Sequence, residues 1–168
     1  LKNLVQRNTS VTIIDHHITA KPELKIATSH LFDIAHSGAT LAWRFFHPSK
    51  KIPTLLRYIE DNDLWKFSLP RAKELSASLQ LEPFSFPRWD VLVKEFESEK
   101  AKHIARGKTI LAYEDKLIAE LAAKAEPARF HGYRAAIINS PLFQSQLGNK
   151  IYENGFDIGI VWARQNGV

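Results

Sequence analysis

Short apolar runs and longer helical repeats alternate along the first half of the chain. Residues 11–14 (VTII) are β-branched and apolar and follow a polar turn, which predicts a buried strand of a parallel sheet. Helical periodicity follows in residues 39–46, opened by Ser37 and Gly38, and again in residues 54–59. This alternation favours an α/β fold.

The second half of the chain predicts long helices and then a β-α-β unit. Residues 70–87 are rich in Pro, Ser and Phe and predict an irregular segment. Residues 89–125 have a helical composition, within which Gly107 predicts a bend or a helix junction, because glycine disfavours helix interiors. The final unit is predicted as a strand over 133–138, a helix over 144–152 and a strand over 156–162.

Composition narrows the chemistry that this chain of 168 residues can carry. It has no cysteine, so any metal must be bound by His, Asp, Glu or water. It has no apolar run long enough to cross a bilayer, from which we expect a cytoplasmic protein without membrane contact. The formal charge of +5 is compatible with an anionic partner. Methionine is absent even at position 1, which predicts a fragment.

The strongest candidate for chemistry is the triplet Asp15-His16-His17. It follows the predicted strand at its carboxyl end, where open α/β sheets place their ligands. One imidazole can bind a divalent ion and the other can contact a phosphate oxygen or transfer a proton, with Asp15 as the orienting carboxylate. Adjacent histidines on an extended chain point in opposite directions, so both bind one ion only if the chain turns between them. The alternative is a pair of ordinary surface histidines.

Three other clusters each have a functional and a structural interpretation. Residues 60–63 (EDND) crowd carboxylates at the end of a predicted helix, which is unfavourable unless a cation offsets them; the alternative is a solvated acidic turn. Ser37 and Gly38 begin a helix, where free backbone N–H groups bind an anion or a simple cap forms. Asn139 precedes a strand-to-helix turn and is either a cap or a ligand contact.

Taken in order, these motifs resemble those of the DHH-family phosphoesterases. The resemblance spans nearly the whole chain and rests on residues 13–17 (IIDHH), 37–43 (SGATLAW), 58–65 (YIEDNDLW), and Asn139-Ser140 with Leu147-Gly148. It implies three parts: a partial parallel-sheet DHH domain over residues 1–88, a helical linker over residues 89–128, and a partial, smaller α/β substrate-binding domain over residues 129–168.

The resemblance also implies roles for single residues. The family uses two Mn²⁺ or Mg²⁺ ions to activate a water molecule for in-line attack on phosphorus. His16 corresponds to a metal ligand, and the catalytic residues are His17, near the scissile phosphate, and Asp15, the carboxylate that orients the histidines. Asp61 is our choice for the downstream metal ligand, with Asp63 as the alternative. The expected substrate contacts are Ser37, Gly38 and Asn139.

The function implied is hydrolysis of a phosphodiester in a small nucleotide or short oligonucleotide. A phosphoanhydride hydrolase, similar to the pyrophosphatases of the family, is the alternative enzyme. A non-catalytic nucleotide-binding or nucleic-acid-binding module is the alternative of another class. In that module Phe84, Phe86 and Trp89 would stack on bases, although we expect these three side chains, with Trp43 and Trp65, to be apolar packing groups.

The family's upstream acidic motifs and its C-terminal glycine- and histidine-rich motif have no counterpart in residues 1–168. We therefore expect this chain, by itself, to bind metal weakly and to be inactive or slow. A homodimer is a candidate assembly.

Overall fold

The computed structural model describes residues 2–164, which form a mixed α/β protein with more helix than strand. The chain divides into two compact units between Lys108 and Thr109. Each unit has its own small sheet and its own apolar core.

The first unit contains two short strands and a series of helices. Its elements are α1 (Lys2–Arg7), β1 (Thr12–Asp15), a 3-10 turn (Ile18–Ala20), α2 (Lys21–Leu24), β2 (Ser29–Phe32), α3 (Gly38–Phe46), α4 (Thr54–Asp63), α5 (Ala72–Leu79) and α6 (Phe86–Ser98). Helix α7 (Lys100–Ala122) runs through the division between the units. The second unit continues with β3 (Glu126–Phe130), β4 (Tyr133–Asn139), α8 (Gln144–Glu153) and β5 (Ile158–Trp162).

Strands β1 and β2 pair in parallel, with Thr12 opposite Ser29 and Asp15 opposite Phe32. The parallel arrangement agrees with the prediction from the β-branched run, but β1 ends one residue later than expected. Asp15 is therefore the last residue of the strand, and His16 and His17 follow it directly. Strand β2 was not predicted, because its sequence SHLF contains no run of apolar residues.

Helix α4 packs on the core of the first unit through residues three apart. Leu55 and Tyr58 are buried there against Leu75, Leu92 and Phe96 from α5 and α6. The next residue at this spacing is Asp61, which is also buried. The core therefore turns Asp61 inward, and it leaves Glu60 and Asp63, three residues apart, on another side of α4.

The second unit contains the predicted β-α-β unit. Strands β4 and β5 are parallel and are connected through α8, while β3 pairs antiparallel with β4. The core lies between the sheet and the helices; its buried residues are Ile118, Ala122, Ala136, Ile138, Leu147 and Ile151. Strand β3 was not predicted, since its sequence EPARF lacks alternating apolar positions.

Residues 89–128, the predicted helical linker, contribute to the cores of both units. Its first part packs within the first unit through Leu92 and Phe96. Its last part packs within the second unit through Ile118 and Ala122. None of the helices in the described part of the chain is long and apolar enough to span a membrane.

Three predictions about packing were wrong. The segment 70–87 is not wholly irregular, because Ala72 and Leu75 lie in the core and the residues around them form α5. Phe84 and Phe86 are 96% and 91% exposed, and Trp65 is 51% exposed, so none of these three side chains is a core residue. The composition of their segments does not reveal which aromatic side chains the helices cover.

Gly107 is not the helix junction that was one of the two predictions for it, because it lies within α7. A Cβ atom at this position would lie 1.8 Å from the carbonyl oxygen of Glu74 in α5. Such a contact is impossible without a shift of backbone, so glycine is required here for the close approach of α7 to α5.

We expect the substitution Gly107→Ala to lower the free energy of unfolding by about 2–3 kcal/mol, because overpacking against a backbone outweighs the helix propensity of alanine. The matched control is Gly148→Ala in α8, where the added Cβ would meet its nearest atom at 3.9 Å. This control should be neutral or slightly stabilising. Urea denaturation measures both values, and equal stability of the two variants would contradict the interpretation.

Candidate functional site

The carboxylate of Asp15 organises the turn that follows β1. Its Oδ1 accepts hydrogen bonds from the backbone N–H groups of His16 at 2.6 Å and His17 at 2.9 Å. The same oxygen lies 2.8 Å from Nδ1 of His17. The bond from the His17 backbone, followed by that from its ring, lowers the pKa of Asp15. Asp15 therefore stays ionised and fixes both histidines.

The turn brings the two imidazoles together. The ring centroids of His16 and His17 are 4.1 Å apart, with an angle of 57° between the planes. The chain thus turns between the histidines, which is the condition under which both can face one ion. One ligand atom from each of Asp15, His16 and His17 falls within 4.8 Å of the others. Among residues 2–164, these three side chains form the group of His, Asp or Glu ligands that could hold a metal ion.

The two histidines differ in their surroundings. The His16 side chain is 13% exposed, whereas that of His17 is 68% exposed. Asp15 contacts Nδ1 of His17, so the Nε2 atom of this ring is the one that can reach a ligand.

Asp63, and not Asp61, lies beside His16. Oδ2 of Asp63 is 3.5 Å from Nε2 of His16. Asp61 is 4% exposed and uses its carboxylate inside the protein. It accepts hydrogen bonds from the backbone and hydroxyl of Ser68, at 3.0 and 2.6 Å, and from the backbone of Leu69 at 3.1 Å. Asp63 thus faces His16 and Asp61 faces the interior, because residues two apart point about 200° apart around a helix.

The start of α3 lies next to His16. A Cβ atom on Gly38 would be 3.8 Å from Cδ2 of His16, so residue 38 borders the ring. Ser37 is 1% exposed, and its hydroxyl accepts a hydrogen bond from the backbone of Thr40 as the N-cap of α3. The Ser37 side chain is thus occupied by capping, whereas Gly38 is at the site.

His36 and Glu60 form a histidine–carboxylate pair that joins α4 to the residues before α3. Sequence reasoning did not select this pair. Nδ1 of His36 lies 3.2 Å from Oε1 of Glu60, and the backbone N–H of Ser37 donates to Oε2 at 2.9 Å. Burial raises the pKa of Glu60, but hydrogen bonds from Thr40, Ser37 and His36 outweigh it and leave the pKa lowered. Local spacing carries no signal for this pair, because His36 and Glu60 lie 24 residues apart in the chain.

Asn139, the third expected substrate contact, lies in the second unit. It ends β4, and its side-chain amide donates a hydrogen bond to the backbone carbonyl of Trp162 at 3.0 Å. This amide therefore connects the ends of two neighbouring strands.

The donor set of the triplet fits a divalent ion. The three hydrogen bonds to Asp15 described above all use Oδ1, and Oδ2 takes part in none of them. The imidazole of His16 is close to a second carboxylate, that of Asp63. Carboxylate oxygen with imidazole nitrogen suits Mn²⁺, and carboxylate with water suits Mg²⁺. Asp15 and His16 are accordingly the residues that would hold such an ion, with the Asp63 carboxylate beside His16 as a further ligand.

Comparison with known proteins does not assign the chain to a family. No family model matches it. It is 29% identical over 170 residues to the uncharacterized protein R106 of Acanthamoeba polyphaga mimivirus, an alignment that covers 96% of this chain and 40% of that protein. The chain thus spans about 40% of the length of this relative.

Among solved structures, the chain is similar to an uncharacterized protein from Helicobacter pylori G27. The TM-score is 0.39 at 15% sequence identity, and the match covers 90% of this chain and 57% of the other. The descriptions of both proteins name no activity.

Proposed function

We propose that the chain carries part of a metal-dependent phosphoesterase site that hydrolyses a phosphodiester in a small nucleotide or short oligonucleotide. The observation that supports this proposal is the group Asp15, His16 and His17 at the end of β1, with Asp63 beside it. Mixed carboxylate and imidazole donors at the carboxyl end of a parallel strand are typical of a metal and phosphate site.

The residues of the group have different roles in this proposal. Asp15, His16 and Asp63 hold the Mn²⁺ or Mg²⁺ ion, which when bound supplies an activated water and neutralises charge on the phosphate. His17, with Nδ1 held by Asp15, presents Nε2 to solvent, where it accepts a proton or, once protonated, donates to a phosphate oxygen. The fixed orientation of this ring reduces the entropy lost on reaching the transition state.

We expect the substitution His16→Asn to weaken Mn²⁺ binding at least about 100-fold, since even outer hydrogen-bond partners of metal ligands are worth 10–100-fold. The control is His131→Asn, a change at an exposed position of the second unit with φ of 49°, which asparagine tolerates. Isothermal titration with Mn²⁺ provides the measurement, together with release of mononucleotide from a dinucleotide. Wild type and His131→Asn should show slow, Mn²⁺-dependent release, and His16→Asn none.

Two outcomes would overturn the proposal. The first is Mn²⁺ binding that is absent from the wild type or unchanged in His16→Asn. The second is tight binding of a short single strand in EDTA, unchanged in His16→Asn and without hydrolysis in Mn²⁺. That result would favour the non-catalytic module, for which Phe84 and Phe86 offer exposed aromatic rings. Faster cleavage of pyrophosphate than of dinucleotide would favour the phosphoanhydride hydrolase.

A further inference from the structure

Two aromatic residues after α4 adopt a backbone conformation that bulky side chains avoid. Trp65 has φ of 54° and Phe67 has φ of 46°, both in the left-handed region. Each such residue costs on the order of 1–3 kcal/mol and persists only where its surroundings impose it. Strained residues of this kind concentrate at ligand sites.

The conformation of this segment is imposed by Asp61. The backbone carbonyl of Asp61 accepts hydrogen bonds from the backbone of Lys66 at 2.9 Å and of Phe67 at 3.3 Å. Its carboxylate binds Ser68 and Leu69, as described above. One buried residue thus fixes four consecutive positions that directly follow Trp65.

The consequence is an indole ring held in solvent. Trp65 is 51% exposed, and its ring meets that of Phe67 at a centroid distance of 5.0 Å and an angle of 74°. A perpendicular neighbour supports the indole without stacking on it. Large apolar side chains are normally covered by folding, so a strained backbone that leaves a tryptophan exposed favours a role in binding.

Trp65 lies close in the chain to a residue of the proposed site. Trp65 is two residues from Asp63, which contacts His16. The following residue, Lys66, places Nζ 3.5 Å from the backbone carbonyl of Ala35, adjacent to His36. The segment that carries Trp65 therefore contacts, through Lys66, the residues that precede α3, and Gly38 at the start of α3 borders His16.

We propose that Trp65 is a stacking platform for a nucleobase of the substrate. This inference rests on the proposed function and specifies it, because a platform beside the phosphate site selects substrates with a planar ring over inorganic pyrophosphate or a sugar phosphate. Stacking requires an accessible aromatic face and no particular hydrogen bonds, so the platform accepts any base. Trp65 is on this view a specificity-determining residue, and Asp61 is the residue that positions it.

The test compares AMP with ribose 5-phosphate, which lacks the base. Calorimetric titration of both ligands in Mn²⁺ is carried out on wild type, Trp65→Leu and Trp65→Phe. We expect wild type to bind AMP roughly five- to one-hundred-fold more tightly than ribose 5-phosphate, the range for stacking of one base. Trp65→Leu should remove this preference and leave the affinity for ribose 5-phosphate unchanged, whereas Trp65→Phe should retain most of it. Phe130→Leu, at an aromatic position of the second unit that is 49% exposed, is the matched control.

The outcomes separate this inference from the proposed function. Equal affinity for the two ligands in wild type, or an AMP preference that persists in Trp65→Leu, would overturn the platform even if the chain hydrolyses dinucleotides. A preference that depends on Trp65, without any Mn²⁺-dependent hydrolysis, would overturn the hydrolase and support the platform. A melting curve and circular dichroism spectrum of each variant exclude unfolding, and Trp65→Phe provides the rescue.

Discussion

Replacing Asp61 with alanine should lower the free energy of unfolding by about 3–4 kcal/mol. The change removes the acceptor for three donors, the backbone and hydroxyl of Ser68 and the backbone of Leu69. Each donor left without a partner in a partly buried place costs roughly 1–3 kcal/mol, and water reaches some of them. The loss also releases the strained backbone at Trp65 and Phe67, which returns part of the cost.

The matched control for Asp61→Ala is Asp63→Ala on the same helix. Asp63 has a 43% exposed side chain that contacts His16, so this variant should lose at most about 0.5 kcal/mol. Mn²⁺ binding should show the opposite order, with a larger loss in Asp63→Ala. Urea denaturation and calorimetry measure the two effects. A stable Asp61→Ala variant that no longer binds Mn²⁺ would show that our first choice of ligand was correct.

The stabilising effect of Asp61 should depend on pH. Burial raises the pKa of its carboxyl group, but the hydrogen bonds from Ser68 and Leu69 outweigh burial and leave the pKa below the ordinary value of 3.8. A carboxyl group with a lowered pKa stabilises the fold above its unfolded value and loses that effect as the pH falls toward the folded value. The difference between wild type and Asp61→Ala should therefore shrink in strong acid.

Asp61 and Asp63 also show how far the sequence predicts the site. The motif alone offered both aspartates, and helix periodicity separates them once the buried face of α4 is known. That face is set by Leu55 and Tyr58, whose three-residue spacing continues to Asp61. The packing partners in α5 could not be predicted, because the segment 70–87 lacks the repeat of an amphipathic helix over its whole length.

Other parts of the site depend on contacts between distant segments. The turn at His16 and His17 follows from three hydrogen bonds to Asp15, a local arrangement that the sequence could suggest. The pairing of His36 with Glu60 joins residues 24 apart in the chain, and spacing gives no indication of it. The exposure of Trp65 depends on the conformation that Asp61 imposes, whereas tryptophan is on average a well-buried residue.

A network of charged side chains around the part-buried Glu95 connects α5, α6 and α7. A substitution within this network should have the second large effect on stability. Glu95 lies 2.9 Å from Arg88, 2.6 Å from Lys102 and 3.0 Å from Nε2 of His103. Arg106 donates to the hydroxyl oxygen of Ser78 through Nε and Nη2. Because this hydroxyl oxygen accepts from Arg106, its own proton can be donated to Nδ1 of His103 at 3.0 Å. Nε2 of His103 then carries the proton of the ring and donates it to Glu95.

Glu95 is the residue of this network whose neutralisation should cost most. The guanidinium of Arg88, followed by the ammonium of Lys102, lowers the pKa of Glu95 from 4.5 to about 2. A shift of this size corresponds to about 3 kcal/mol, at about 1.4 kcal/mol for each pH unit. We expect Glu95→Gln to lower the free energy of unfolding at pH 7 by that amount, because the side chains around it lose their shared partner. Glu99→Gln, which affects an exposed pair with Lys102, should cost less than about 0.5 kcal/mol.

Acid should destabilise the wild type in two stages, the first set by His103 and the second by Glu82 and Glu95. Burial lowers the pKa of His103 below 6.5, so the unfolded chain binds its proton first and stability falls as the pH decreases below about 6.5. Glu82 and Glu95, each with a pKa of about 2, then lose their contribution to stability as the pH falls from about 4.5 toward 2.

Urea denaturation of wild type and Glu95→Gln at pH 7, 5.5, 4 and 3 tests this order of the two stages. These pH values lie on either side of the ordinary pKa values of His and Glu. The variant should lose less stability than the wild type below about pH 4.5, since one of the two carboxylates no longer titrates. Parallel curves for the two proteins would contradict the assignment of the acid sensitivity to Glu95.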